Sequence, residues 1–179
     1  MLKKVSILAF ALITALTPIT SLAAKGDDLE ELRSDKRAAD WVLVKKDKLK
    51  NITTWAKRED GKSIRSFRVE MIVDADLETL ARVHFDVENI KRWFWETKES
   101  KLLKKVNDKE YYYYQVFNAP LTIPDRDAII RVQVEPFNAK RGYMAMKLTS
   151  IAEFMPAQPG KVRVAALNYY LRFTPIDKN

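Results

Sequence analysis

Among the residues able to do chemistry, Arg126 has the most informative setting: it follows Pro124, lies between Asp125 and Asp127, and opens an alternating strand. Ala128, Ile130, Val132 and Val134 alternate there with Arg131, Gln133 and Glu135, so period-two counting puts Arg126 on the apolar side. A guanidinium aimed inward needs a carboxylate, a carbonyl, a trapped water or a ligand headgroup, because an unpaired buried charge is strongly destabilising. Asp125 and Asp127 have the opposite parity. Two nearby carboxylates could do acid-base work, yet beside a proline the simpler expectation is turn formation through neighbouring backbone amides. His84 is the only histidine and has no motif around it, so a Ser-His-Asp triad finds no support and a packing or surface role is expected. No catalytic residue is assigned.

Just upstream runs the aromatic strand Tyr111-Tyr112-Tyr113-Tyr114-Gln115-Val116-Phe117. Tyr112 and Tyr114 share one face, Tyr111 and Tyr113 the other, and such tyrosines either pack a sheet or line a pocket. The candidates for pocket lining are Tyr112, Tyr114 and Gln115, with Trp93 from an earlier aromatic cluster. Met144 and Met146, two apart in a later strand, suit either core filling or a pocket for varied acyl chains. The chain contains no cysteine, which removes disulfides, thiolate catalysis and thiolate metal sites together. With a single histidine and no calcium-loop spacing, no metal site is expected, and four glycines leave no phosphate-binding loop. No cofactor is expected.

These residues sit in a chain of 179 residues with net charge +8. Lys3 and Lys4, the apolar run Val5 to Leu16 and the small-residue stretch Thr17 to Ala23 read as a cleaved signal peptide over 1–23, because a spanning helix needs about 20 apolar residues. The mature protein is then expected in a periplasm or outside the cell. Residues 24–40 form a charged lead-in, and 41–179 form one domain. The basic excess is scattered through Lys45, Lys46, Lys48, Lys50, Lys101, Lys104 and Lys105. That pattern fits a solvated surface, with a membrane-facing patch as the rival and nucleic acid set aside.

Asn51 to Arg58 and Ser63 to Val73 read as strands around an Asp60-Gly61 turn, with Phe67, Val69, Met71 and Val73 inward. Asp76 is an N-cap for a helix carrying Leu77, Leu80, Ala81 and Val83, and a second short helix starts at Asp86 or Glu88 and ends near Trp93. Five extended segments follow: Ser100 to Val106, Tyr111 to Asn118, Ala128 to Val134, Tyr143 to Ile151 and Lys161 to Phe173. The fold class is α+β with a long antiparallel sheet.

In this order the segments Trp41-Val42-Leu43-Val44-Lys45, Arg58, Phe67-Arg68, Val73-Asp74-Ala75, Asp86-Val87-Glu88-Asn89, Trp93, the tyrosine strand, Pro124-Asp125-Arg126-Asp127 and Val162-Arg163 resemble the lipid-transfer domains related to the steroidogenic acute regulatory protein, called START domains, in their secreted bacterial form. The resemblance implies a helix-grip fold, a curved antiparallel sheet gripping a long C-terminal helix over an apolar tunnel for a sterol, phospholipid or fatty-acyl compound. It implies that Arg126 points into that tunnel and meets Gln115 or a tyrosine hydroxyl where the family's founding member has a glutamate. A neutral partner would favour an anionic or strongly hydrogen-bonding headgroup. The final strand and long helix of the family do not appear before Asn179, so the domain is expected to be incomplete at its C-terminus, with an uncovered sheet open to self-association. The expected function is non-catalytic lipid binding or transfer, with transient membrane contact. The alternatives are a truncated fragment without independent activity and a helix-grip cyclase or hydrolase.

Overall fold

Alternating apolar and polar residues supply most of the strands, and short polar turns with defined backbone chemistry connect them. A computed structural model describes residues 4–13, 40–60, 65–120 and 122–176, with side chains of the first segment described at Ser6 and Ile7. Strands β1 (Lys4–Ile13), β2 (Val42–Asp47), β3 (Ile52–Arg58) and β4 (Arg65–Asp74) precede the helix α1 (Leu77–Phe85) and a 3-10 helix (Val87–Arg92). Then come β5 (Thr97–Asn107), β6 (Glu110–Phe117), β7 (Asp125–Asn138), β8 (Tyr143–Ser150), β9 (Lys161–Arg163) and β10 (Leu167–Pro175). All but β9 lie along one curved antiparallel sheet in the order β2-β3-β4-β1-β10-β8-β7-β6-β5.

The local chemistry explains the boundaries. Between β2 and β3, the Asp47 carboxylate accepts from the amides of Leu49 and Lys50, both at 3.1 Å, and Asn51 takes the left-handed conformation that asparagine tolerates. Asp76 caps α1 by accepting from the Thr79 amide at 2.7 Å, with Glu78 in the first turn at the positive end of the helix dipole. Gly142, at φ +76, closes the turn from β7 to β8 in a conformation that costs side-chain-bearing residues far more.

One segment takes a place in the sheet of the full chain that the sequence reading did not address, and another departs from that reading. Lys4–Ile13, read as the charged end and apolar run of a leader, forms β1 in the full chain and lies antiparallel between β4 and β10. A short apolar run suits a leader core or a doubly flanked strand equally well by periodicity. The cleavage region Thr17 to Ala23 and residues 24–39 of the lead-in lie outside the described residues. The single strand expected over Lys161 to Phe173 is two strands. Lys161–Arg163 pairs parallel with Asp125–Asp127 of β7, the Val164 amide then donates to the Asp127 carbonyl at 2.8 Å, and the chain resumes at Leu167 against β8. Among the described residues the longest α-helix is α1, with nine residues, and no helix is long and apolar enough to cross a membrane.

Register divides the sheet into two faces. In antiparallel pairs directly opposed residues share a face, and Phe117, Gln115, Tyr113 and Tyr111 oppose Arg126, Ala128, Ile130 and Val132. This concave face holds the main core, including Ile130, Val132, Met144, Met146 and Phe173, under Leu77, Leu80 and Ala81 of α1 and Val87 and Ile90 of the 3-10 helix. Burial of such side chains contributes roughly 1.5–3 kcal/mol each. A smaller cluster of Tyr114, Val116 and Ile129 with Leu103 and Met155 occupies the other face.

Candidate functional site

Between α1 and the concave face lies a cavity of about 430 Å³. Its roof comes from Leu80, Val83 and His84 of α1 with Ile90, its floor from Tyr111, Tyr113, Gln115 and Phe117 of β6 and from the strands beside it, and its mouth carries Trp93 and Phe94. Ile7 of β1 and Met71 of β4 complete the far wall, where they are directly opposed in register. Among the described residues, no Asp, Glu, Lys or Arg lines it. The volume falls within the range of ligand sites, about 300–1,000 Å³, and the lining is apolar with a few polar groups.

Those polar groups are held in defined roles. His84 Nδ1 lies 2.8 Å from the Leu80 carbonyl one turn back, and because a carbonyl only accepts, Nδ1 carries the proton and Nε2 is the ring's acceptor. The ring is wedged between Trp93, with centroids 5.3 Å apart, and Phe173, at 5.1 Å. Burial lowers the pKa of His84, an effect partly opposed by its hydrogen bond to Leu80. The Tyr111 hydroxyl donates to the His84 carbonyl at 3.2 Å. Gln115 Nε2 donates to Thr97 Oγ1 at 2.8 Å, which fixes the amide against β5. Burial raises the pKa values of Tyr111, Tyr113 and Tyr169, so this cavity disfavours negative charge.

The sequence-predicted residues separate in space. Gln115, Trp93 and Met146 line the cavity, while Met144 is buried in the adjoining core. Tyr112 and Tyr114 are on the opposite face, a correction that follows from register: they oppose Arg131 and Ile129, not Val132 and Ile130. Tyr112 stacks on Phe154 at 5.0 Å and donates to Glu110 at 2.8 Å. The Tyr114 hydroxyl is pushed up to about 12, by burial first and then by the neighbouring Asp127 carboxylate.

Arg126 has the apolar-side parity expected of it, but it does not line the cavity. It sits beside the mouth opposite Phe117, whose ring lies 6.3 Å from Phe94, and its guanidinium donates to the Pro124 carbonyl at 3.4 Å. The expected Arg126 to Gln115 pairing is replaced by the bond from Gln115 to Thr97. Asp125 does the turn work anticipated for it, accepting from the Ala119 amide at 3.1 Å, and it also meets Lys98 at 2.7 Å. Asp127 does not. It is fully buried on the convex side and forms a two-point pair with Arg163, Nε to Oδ1 at 3.0 Å and Nη2 to Oδ2 at 2.9 Å.

Sequence reasoning missed His84, Tyr111, Tyr113 and Tyr169 as wall residues. For His84 a signal existed, since it continues the apolar stripe Leu77, Leu80, Ala81 at helical spacing. For Tyr111 and Tyr113 of β6 and Tyr169 of β10 none did, because alternation within a strand does not say which parity faces inward.

Comparison with solved structures matches this arrangement of sheet and helices. A STAR-related lipid transfer protein fragment from Xanthomonas axonopodis aligns over 75% of this chain and 81% of its own at TM-score 0.63 and 22% identity. The chain has the fold of START domains. Human STARD10 aligns over 89% of this chain and 71% of its own at TM-score 0.60 and 17% identity. The lipid transfer and protein localization domain of human StarD13 aligns over 88% and 87% at TM-score 0.60 and 15% identity. No family model matches the sequence, and no curated protein matches it. Within the START fold, the tyrosine strand is β6 and the candidate site is the space between its concave face and α1.

Proposed function

We propose that this START-like domain binds one lipid-like molecule in the cavity beneath α1 and releases it without chemical change. The observation that carries the reading is the open-mouthed apolar cavity with no charged side chain among the described residues, lying where the sheet would otherwise pack solidly against the helix. The solved START structures, named as lipid transfer proteins, lend support through their shared fold. Native mass spectrometry of gently purified full chain is expected to show a bound lipid-sized mass, and a fluorescent lipid is expected to titrate to one site. Absence of both signals overturns the proposal.

The mouth suggests transient contact with an anionic membrane. Trp95 is 84% exposed beside the partly exposed Trp93 and Phe94, Lys91 and Arg92 precede them, and Arg126 stands across the rim. Aromatic side chains beside cations suit the boundary between headgroups and acyl chains. Each such cation contributes about 1 kcal/mol near an anionic surface. Accordingly, Lys91→Gln with Arg92→Gln is expected to weaken sedimentation with phosphatidylglycerol vesicles about tenfold or more, leaving titration by a soluble fluorescent lipid unchanged. An equal loss in both assays would place these residues in the cavity's service instead. Export to a periplasm or the outside, on the strength of Lys3, Lys4 and the apolar run after them, is a separate proposal, and cleavage after Ala23 would take β1 and its Ile7 out of the cavity wall.

A further inference from the structure

The donors and acceptors of the cavity wall are unequally used. Gln115 Nε2 is spent on Thr97, the Tyr111 hydroxyl on the His84 carbonyl, and His84 Nδ1 on Leu80. His84 Nε2 is the acceptor left in the roof, facing Gln115 Oε1 and the hydroxyls of Tyr113 and Tyr169 in the sheet: among the described residues no protein donor is paired with it. An acceptor that opens on an apolar cavity gains from a ligand that brings a donor, because the hydrogen bond then forms away from bulk water. The ligand's own charge is constrained as well. Neither a cationic nor an anionic side chain among the described residues reaches the wall, so a charged headgroup inside would lose its hydration with nothing in return.

Resting on the lipid-binding reading above, we infer that the cavity selects an uncharged lipid bearing a hydroxyl group, which donates its hydrogen bond to His84 Nε2. Arg126, at the rim, has no part in holding this group. The volume of about 430 Å³ points to a single compact or single-chain molecule, near the lower end of known ligand sites.

The test compares three probes that share one hydrocarbon chain: a sixteen-carbon primary alcohol, its methyl ether and the matching carboxylate, measured at about pH 8 on the full chain, where the carboxylate is ionised. The alcohol is expected to bind about fivefold to tenfold more tightly than the ether, the scale of one net hydrogen bond, and the carboxylate most weakly. His84→Leu is expected to bring the alcohol down to the ether's affinity without moving the ether, and His84→Gln, which retains an acceptor, to restore part of the difference. Equal binding of alcohol and ether by the unaltered chain, or tightest binding of the carboxylate, overturns this inference and leaves lipid binding standing. Failure of all three probes to bind overturns lipid binding and this inference with it. The comparison on the unaltered chain needs no variant to fold.

Discussion

Arg163→Met is expected to lower the unfolding free energy by about 3–5 kcal/mol, the scale of removing one partner from a buried ion pair. Arg163 is 12% exposed and Asp127 1%, and the guanidinium uses every donor it has. Two go to the Asp127 carboxylate, and the others reach the carbonyls of Ala152 at 2.7 Å, Met155 at 2.9 Å and Pro156 at 3.0 Å. Methionine keeps the packing volume but leaves a carboxylate and three carbonyls without donors. Adding Asp127→Leu is expected to recover only part of the loss, because the carbonyls remain unpaired. Urea denaturation of the three proteins checks this, and a single-variant loss under about 1 kcal/mol would show that the pair is dispensable. Since the pair lies on the convex side, lipid titration by the folded fraction is expected to survive.

Ala9→Pro is the second large effect, at about 3 kcal/mol or more in the full chain, because proline removes a backbone donor and its ring is not tolerated inside a hydrogen-bonded element. Ala9 is mid-strand in β1, opposite Val69 of β4 on one side and Leu171 of β10 on the other, so no free edge exists to absorb it. The readout is the urea midpoint of a preparation whose intact mass retains residues 1–23. An unchanged midpoint would mean that the folded chain does without β1. Removing the same segment by cleavage would leave the facing edges of β4 and β10 unpaired, a gap of one strand that invites pairing with another copy.

Elements with strong local chemistry were legible at once. The Asp76 cap, the α1 stripe and the 3-10 helix after Asp86 depend on neighbours within a few residues, and they stand where the sequence puts them. The β9 to β10 division left one trace in the sequence, a switch of apolar parity from Val162 and Val164 to Leu167, Tyr169, Leu171 and Phe173 across Ala165-Ala166, but what holds the first part apart is Asp127, 36 residues upstream of Arg163. Asp127 itself looked like a turn former beside Asp125. Only its distant partner and the segment folded over it make it a buried anchor.

By itself, the sequence determined that Arg126, Ala128, Ile130 and Val132 share one side of a strand and that Tyr111 and Tyr113 oppose Tyr112 and Tyr114, because side-chain alternation is a covalent property of an extended chain. It also determined that cysteine and paired histidines are absent from any site here. The tertiary structure decided which tyrosines meet the cavity, that Arg126 stands at its mouth, and that His84 supplies the acceptor in its roof. These depend on the register between strands and on where α1 lies across them. Register is a relation between segments, settled by the packing of a whole face, and no single segment carries it.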